Sequence, residues 1–220
     1  MTVNSWSERS SGSDPVLETT RMRLRRFTAA DAEALAALHG DPEVMHYLDD
    51  GRPVPPTVVV ERNLPAILRE YDQLPDGLGC FAATEVASGG FLGWFSLRPA
   101  SSVGLDGGIE LGYRLRRAVW GRGYATEGAR ALVHHAFAAL GVERLVATTM
   151  TVNTASRRVL EKAGLRLVRT FHQAWPEPIE GAEHGDVEYA LTRESWQRDS
   201  RCDVQPACQR AISARNACVS

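Results

Sequence analysis

The sequence predicts a single α/β (α+β) domain built on a mixed sheet, and three observations carry that prediction. Residues 107–128, GGIELGYRLRRAVWGRGYATEG, pass from a strand period to a helix period across a glycine turn. A glycine-centred hairpin precedes them. Further strands, separated by a short helix, follow them. With 220 residues and 44% hydrophobic content, the chain is long enough to bury one good core.

In the central stretch Ile109, Leu111, Tyr113 and Leu115 alternate with Glu110, Gly112, Arg114 and Arg116, which is a strand. The turn Trp120-Gly121-Arg122-Gly123-Tyr124 follows. From Ala125, the residues Ala129, Leu132, Val133, Ala136, Phe137 and Leu140 form the apolar stripe of a helix. The first turn of a helix leaves amide hydrogens without partners, and two glycines let an anion approach them. Several charge-assisted bonds of ~1.5–3 kcal/mol each could hold a pyrophosphate, with Arg122 adding charge. An ordinary tight strand-to-helix turn fits the spacing equally well.

Taking the chain in order, residues 1–14 are polar and serine-rich, so they are expected to be disordered. Val16 to Phe27 reads as a first strand. Thr28 and Asp31 make a capping-box start for a helix that carries Ala32, Leu35 and Leu38 inward. Asp41-Pro42 opens a short helical turn with Asp41 as cap. Thr57 caps a helix to about Tyr71, with a kink or break expected at Pro65. Leu78–Val86 and Phe91–Arg98 form a hairpin around Ala87-Ser88-Gly89-Gly90. Glu143–Met150 is a strand, Asn153–Ala163 a helix ended by Gly164, and Leu165–His172 and Asp186–Leu191 the last strands. The expected division is 1–14, a domain at 15–198 and an irregular tail at 199–220.

Composition narrows the function. A net charge of −2 is no nucleic-acid footprint. No apolar run reaches membrane-spanning length and the N-terminus lacks a signal-peptide core, so a cytoplasmic protein is expected. Cys80, Cys202, Cys208 and Cys218 make no CxxC pair, His172 and His184 have no ligand-spaced companions, and no metal site is expected. Cys80 reads as core. The dinucleotide reading fails: Thr126 stands where a third glycine is required, and the next strand ends in Thr148-Thr149-Met150 rather than in an acid. A GxxxxGK[ST] phosphate loop is absent.

The run Trp120-Gly121-Arg122-Gly123-Tyr124-Ala125-Thr126-Glu127, followed by Asn153-Thr154-Ala155-Ser156-Arg157-Arg158-Val159-Leu160-Glu161-Lys162-Ala163-Gly164, resembles the acyl-CoA motif and next helix of the GNAT N-acetyltransferases. With Glu110-Leu111-Gly112-Tyr113, it resembles most the ribosomal-protein (RimJ/RimL-type) branch. The resemblance spans roughly Val16 to Trp196. It implies a mostly antiparallel seven-stranded sheet with about four helices, splayed between its fourth and fifth strands at 109–115 and 143–150. It also implies acetyl-CoA in that splay. The backbone from Arg117 through Trp120, Gly121, Arg122, Gly123, Tyr124 and Ala125 to Thr126 would hold the pyrophosphate. Leu111, Gly112 and Tyr113 would pair with the pantetheine arm, and Asn153 would bond it from the far side. Two departures stand out. Ala118 occupies a position often held by Gln or Arg, and Leu160 stands where many relatives have the tyrosine that protonates the leaving thiolate.

Direct acetylation needs a neutral amine, a polarised carbonyl and a route for protonating sulfur. Leu111 or Gly112 N–H is the candidate for polarisation. Ser156 is the candidate acid, against a plain helix-start serine. Glu110 is the candidate base, acting through water, against a strand carboxylate paired with arginine; His184 and Asp186 are alternatives. Glu177, Glu180, Glu183, Asp186 and Glu188, with Trp175, Pro176, Pro178 and Gly181, suggest a loop favouring a cationic amine, against a merely solvated loop. The expected protein is an acetyl-CoA-dependent N-acetyltransferase acting on a protein N-terminus or a small amine, as monomer or homodimer. The competing class is a non-catalytic acyl-CoA-binding or interaction module.

Overall fold

The computed structural model describes residues 15–172 and 179–200. They form an eight-stranded sheet: β1 (Pro15–Glu18), β2 (Met22–Arg26), β3 (Gly79–Glu85), β4 (Phe91–Pro99), β5 (Ile109–Leu115), β6 (Arg144–Met150), β7 (Arg166–Phe171) and β8 (Asp186–Thr192). The spatial order is β1-β2-β3-β4-β5-β6-β8-β7, and every pairing is antiparallel except β5 with β6.

The extra strand over the expected seven comes from the first one, which is a hairpin. Thr19 to Met22 turn the chain, closed by the Thr19 amide on the Met22 carbonyl at 2.8 Å and the Met22 amide on the Thr19 hydroxyl oxygen at 3.0 Å. The turn holds no Gly, Pro, Asn or Asp, so it carried none of the usual signals. The splay therefore lies between the fifth and sixth strands, which are the two segments expected to flank it.

Helices α1 (Ala32–His39), α2 (Pro42–Met45), α3 (Pro56–Val58) and α4 (Leu64–Gln73) precede β3, while α5 (Tyr124–Ala138) and α6 (Thr154–Lys162) follow β5 and β6. Asp41 caps α2 as expected, accepting from the Glu43 amide at 3.0 Å. Asp31 accepts from the Thr28 amide at 2.8 Å. Pro55 rather than Thr57 stands at the start of α3. The disturbance expected from Pro65 is a π-helical turn at Val59–Asn63: proline offers no N–H to the carbonyl four residues back, and a wider turn takes up the mismatch.

Both faces of the sheet are covered, which is why β3 reads as a continuous apolar run. Phe81 and Ala83 join the core under α5 and α6, with Phe95, Leu111, Leu132, Val133, Phe137 and Leu160. Cys80 and Ala82 face α1 and α4 with Leu35, Leu38 and Ile67. Burial pushes the Cys80 thiol up to about 12, so it is an inert core group. Gly164, at φ +96°, ends the α6 segment as expected. Residues 193–200 are helical, and Trp196 stacks on Phe137 at 5.4 Å between centroids. Residues 1–14, Trp175, Pro176, Glu177, Pro178, Cys202, Cys208 and Cys218 lie outside the described residues.

Candidate active site

Strand β5 is laddered to β6 only at Ile109↔Leu145 and Glu110↔Val146. Past that point the strands part, and the β5 edge from Leu111 to Leu115 is left without a strand partner on that side. At the open end the chain turns through Arg117–Val119 and enters α5 at Gly123. Gly121 and Gly123 have φ of +70° and +83°, and a Cβ at Gly121 would meet nothing within 4 Å. The first bond of the helix runs from the Glu127 amide to the Gly123 carbonyl at 3.0 Å. The amides of Gly121, Arg122, Gly123, Tyr124, Ala125 and Thr126 find no acceptor among the described residues. This is a concentrated set of free donors beside a positive helix end.

A clamp that sequence reasoning missed holds this cradle in shape. Glu127 accepts from the Thr19 hydroxyl at 2.7 Å, from the Arg21 amide at 3.0 Å and from Arg21 Nε at 2.7 Å. Arg21 Nη1 also donates to the Arg122 carbonyl at 3.0 Å, and its guanidinium lies 4.4 Å from the Tyr124 ring centroid. Partial burial pushes the Glu127 carboxyl up, but the bonds from Thr19 and Arg21 outweigh it and hold it below the usual range. Tyr124 is buried and donates to Glu85 at 2.5 Å. Trp120 is half exposed, with Nε1 on the Leu115 carbonyl at 2.8 Å. Arg117 and Arg122 are exposed beside the amides.

The strand alternation sorts the remaining candidates onto two faces. Towards α1–α4 lie Glu110, Gly112 and Arg114, opposite Arg98, Ser96 and Trp94 of β4. The Glu110 carboxylate leans over Gly112: a Cβ there would sit 3.2 Å from Glu110 Oε1 and 2.5 Å from Ser96 Oγ, which is buried and unpartnered. Burial pushes the Glu110 carboxyl up to about 7, with Arg98 pulling the other way. That value suits a base that must be anionic near neutrality. Deeper on this face, His39 contacts Asn63 Nδ2 at 3.3 Å and Trp94 Nε1 at 3.4 Å. Burial, then Arg114, lowers its pKa to about 4, so it is neutral.

Towards α5 and α6 lies Tyr113. Its hydroxyl is 2.9 Å from Ser156 Oγ and 3.1 Å from the Ser156 carbonyl. The Ser156 amide donates to Asn153 Oδ1 at 3.0 Å, so Asn153 is the helix cap as well as the candidate pantetheine contact. Leu160 is buried in the core and faces away from any proton-transfer role.

The acidic segment needs correction at one position. Glu188 is buried and paired with Arg144 at 2.9 Å and Arg169 at 2.7 Å, from strands on either side. Its charge is spent inside the sheet, on partners that lie 44 and 19 positions away in sequence. His184 and Glu183 are exposed, and Asp186 is buried at the head of β8. Among the described residues no cluster of His, Cys, Asp and Glu could hold a metal, and no helix is long and apolar enough to cross a membrane.

Residues 21–166 match the family described as the acetyltransferase (GNAT) domain. The chain belongs to the GNAT acetyltransferase family. It is an acetyl-CoA-dependent N-acetyltransferase. A relative named FsC-acetyl coenzyme A-N(2)-transacetylase, from Aspergillus fumigatus, is 35% identical over 84% of this chain and 79% of that protein. Among solved structures, a GNAT-family acetyltransferase from Bacillus anthracis superposes with TM-score 0.64 at 23% identity, over 81% of this chain and 98% of that one. RimL, an alpha-N-protein acetyltransferase of a ribosomal protein solved in complex with coenzyme A, gives TM-score 0.66 at 18% identity, over 83% of this chain and 99% of that one. These two likenesses concern the fold. The GNAT family uses acetyl-CoA, and the fold expectation of a splayed, mostly antiparallel sheet holds.

Proposed function

We propose that this acetyltransferase binds acetyl-CoA in the β5–β6 splay, pyrophosphate on the amides from Gly121 to Thr126, and transfers acetyl directly to an α-type primary amine. The observation that carries this reading is the division of labour across β5. Glu110 stands on one face and the Tyr113–Ser156 pair on the other, with an unladdered strand edge between them. An amine can enter beside Glu110 while the sulfur departs towards Ser156.

The chemistry then runs as follows. The thioester carbonyl takes a hydrogen bond from the Leu111 or Gly112 amide, and the amine nitrogen attacks its carbon. Glu110 takes the amine proton, directly or through one water. The carbon–sulfur bond breaks with its electron pair on sulfur, beside the Ser156 hydroxyl. Asn153 holds both the helix start and the pantetheine arm.

Two arguments support an α-type acceptor. The relative from A. fumigatus is named for transfer at an N(2) position. Independently, an α-amine with a pKa of about 8 is deprotonated by a carboxylate near 7 far more readily than a side-chain amine of about 10.4. Charge steering is weaker than the bare sequence suggested. Glu188 is neutralised, while Arg98 and Arg114 share the face of Glu110. Glu180 and Glu183 remain as exposed acidic groups at the rim of the described loop.

Thiol release from acetyl-CoA is the test, with a panel of α-amino peptides, small α-amines, polyamines and aminoglycosides. The α-amines should turn over fastest at neutral pH. Faster release with polyamines would overturn the acceptor assignment, and no release above background with any amine would overturn the site.

A further inference from the structure

The site lacks a tyrosine at position 160, yet a phenol reaches the same helix from the opposite wall. Tyr113 belongs to β5, across the splay from α6, and its hydroxyl is within bonding distance of two atoms of one residue, Ser156 Oγ and Ser156 O. Its ring is fixed from behind by Phe95, at 6.0 Å between centroids, and Phe95 in turn is pressed against Gly128 of α5. The Ser156 backbone is fixed by Asn153. Two hydroxyls with two protons are thus locked side by side, where the proposed acetyl transfer puts the departing sulfur.

We propose that Tyr113 is a positioning residue for transfer: its phenol donates to Ser156 Oγ across the splay and so aims the serine's single proton at the departing sulfur. This rests on the acetyltransferase reading of the site. Without ligand the phenol can donate to the Ser156 carbonyl and accept from the serine hydroxyl. An anionic sulfur draws the serine proton to itself, and the phenol then shifts its own proton from the carbonyl to Oγ. A serine that receives one hydrogen bond is a better donor of the next.

The pair stabilises the leaving group rather than protonating it. Burial holds the Tyr113 phenol up at about 12, whereas a thiol of ordinary acidity sits at about 8.5. Full proton transfer from phenol to thiolate would run uphill by several pKa units. The sulfur therefore leaves as a thiolate held by one serine hydrogen bond, while the amine's proton passes to Glu110 and on to water. The sulfur takes its own proton from water on release.

The test is a titration of the thiol of bound coenzyme A, followed by thiolate ultraviolet absorbance, in the wild type, Tyr113→Phe, Ser156→Ala and the double variant. Bound thiol in the wild type should ionise ~3–10-fold more readily than in Tyr113→Phe, the size expected for one hydrogen bond between neutral hydroxyls. The double variant should be no worse than Ser156→Ala alone. In turnover, Tyr113→Phe should lower kcat by a similar factor, more for acyl donors with more basic thiols, and leave KM for acetyl-CoA unchanged. Identical thiol ionisation in the wild type and Tyr113→Phe, or effects of the two substitutions that simply multiply, would overturn the assignment. The titration uses no acceptor, so its failure is distinct from failure of the wild type to release thiol to any amine.

Discussion

Replacing Glu110 by Gln tests the site through two independent readouts. Burial raises this carboxyl from 4.5 to about 7. At ~1.4 kcal/mol per pKa unit, ionising it inside the fold costs up to about 3.5 kcal/mol more than in the unfolded chain. Water reaching the splay reduces that towards ~1.5 kcal/mol. The sign follows from proton binding. Between pH 4.5 and 7 the folded chain keeps a proton that the unfolded chain has released, so stability falls as pH rises through that window and stays lowered above it. Glu110→Gln removes the term. It should match the wild type near pH 4.5 and be more stable at pH 8, by ~3–10 °C in Tm for a domain of this size. Activity should move the opposite way. Wild-type kcat/KM should rise to a plateau through an ionisation near 7, whereas the variant loses that limb and ~10²–10⁴-fold of the rate. Only the ionisation of the acceptor amine should remain in its profile. A variant that keeps the limb near 7 at nearly full rate, or that gains no stability at pH 8, would refute the reasoning. Thermal unfolding and pH–rate profiles on the same two proteins decide it.

Other perturbations separate the parts of the site. Ser156→Ala should lower kcat while acetyl-CoA affinity, measured by calorimetry, stays within about twofold, because the Asn153 cap bonds the backbone amide and not the hydroxyl. Arg21→Ala should raise KM for acetyl-CoA with kcat little changed, since it removes the group that ties Glu127 to the Arg122 carbonyl; the steady-state split between the two constants checks it. Gly128→Ala should destabilise despite the better helix propensity of alanine. Its Cβ would lie 2.2 Å from Phe95 Cζ, so overpacking of ~1–3 kcal/mol outweighs a propensity gain of ~1 kcal/mol, as chemical denaturation will show. Gly121→Ala meets open space but requires φ of +70°, so it should cost only ~1–2 kcal/mol and serve as the control.

What could be read from the sequence was whatever depends on neighbours along the chain. The strand–glycine–helix unit, the Asp41 cap, the hairpin about Gly89-Gly90 and the Gly164 stop each rest on residues a few positions apart. The period of side chains likewise puts Glu110 and Tyr113 on opposite faces. The misses are contacts that span the chain. Arg21 reaches Glu127 over 106 positions, and Arg144 and Arg169 neutralise Glu188 from 44 and 19 positions away. The Thr19–Met22 turn escaped because a side-chain hydroxyl does there what glycine or asparagine does elsewhere. Tyr113 is the instructive case. The resemblance gives its backbone to the pantetheine and its side chain no task, because the tyrosine expected at position 160 and the candidate acid Ser156 both belong to the helix. The splay changes that search. Opening the sheet between β5 and β6 removes the strand that would have covered the β5 edge, and the rings of β5 then have free passage to α6. A hydroxyl lost from the helix can be supplied from the facing strand, and a search for leaving-group donors in this fold should include both walls of the gap.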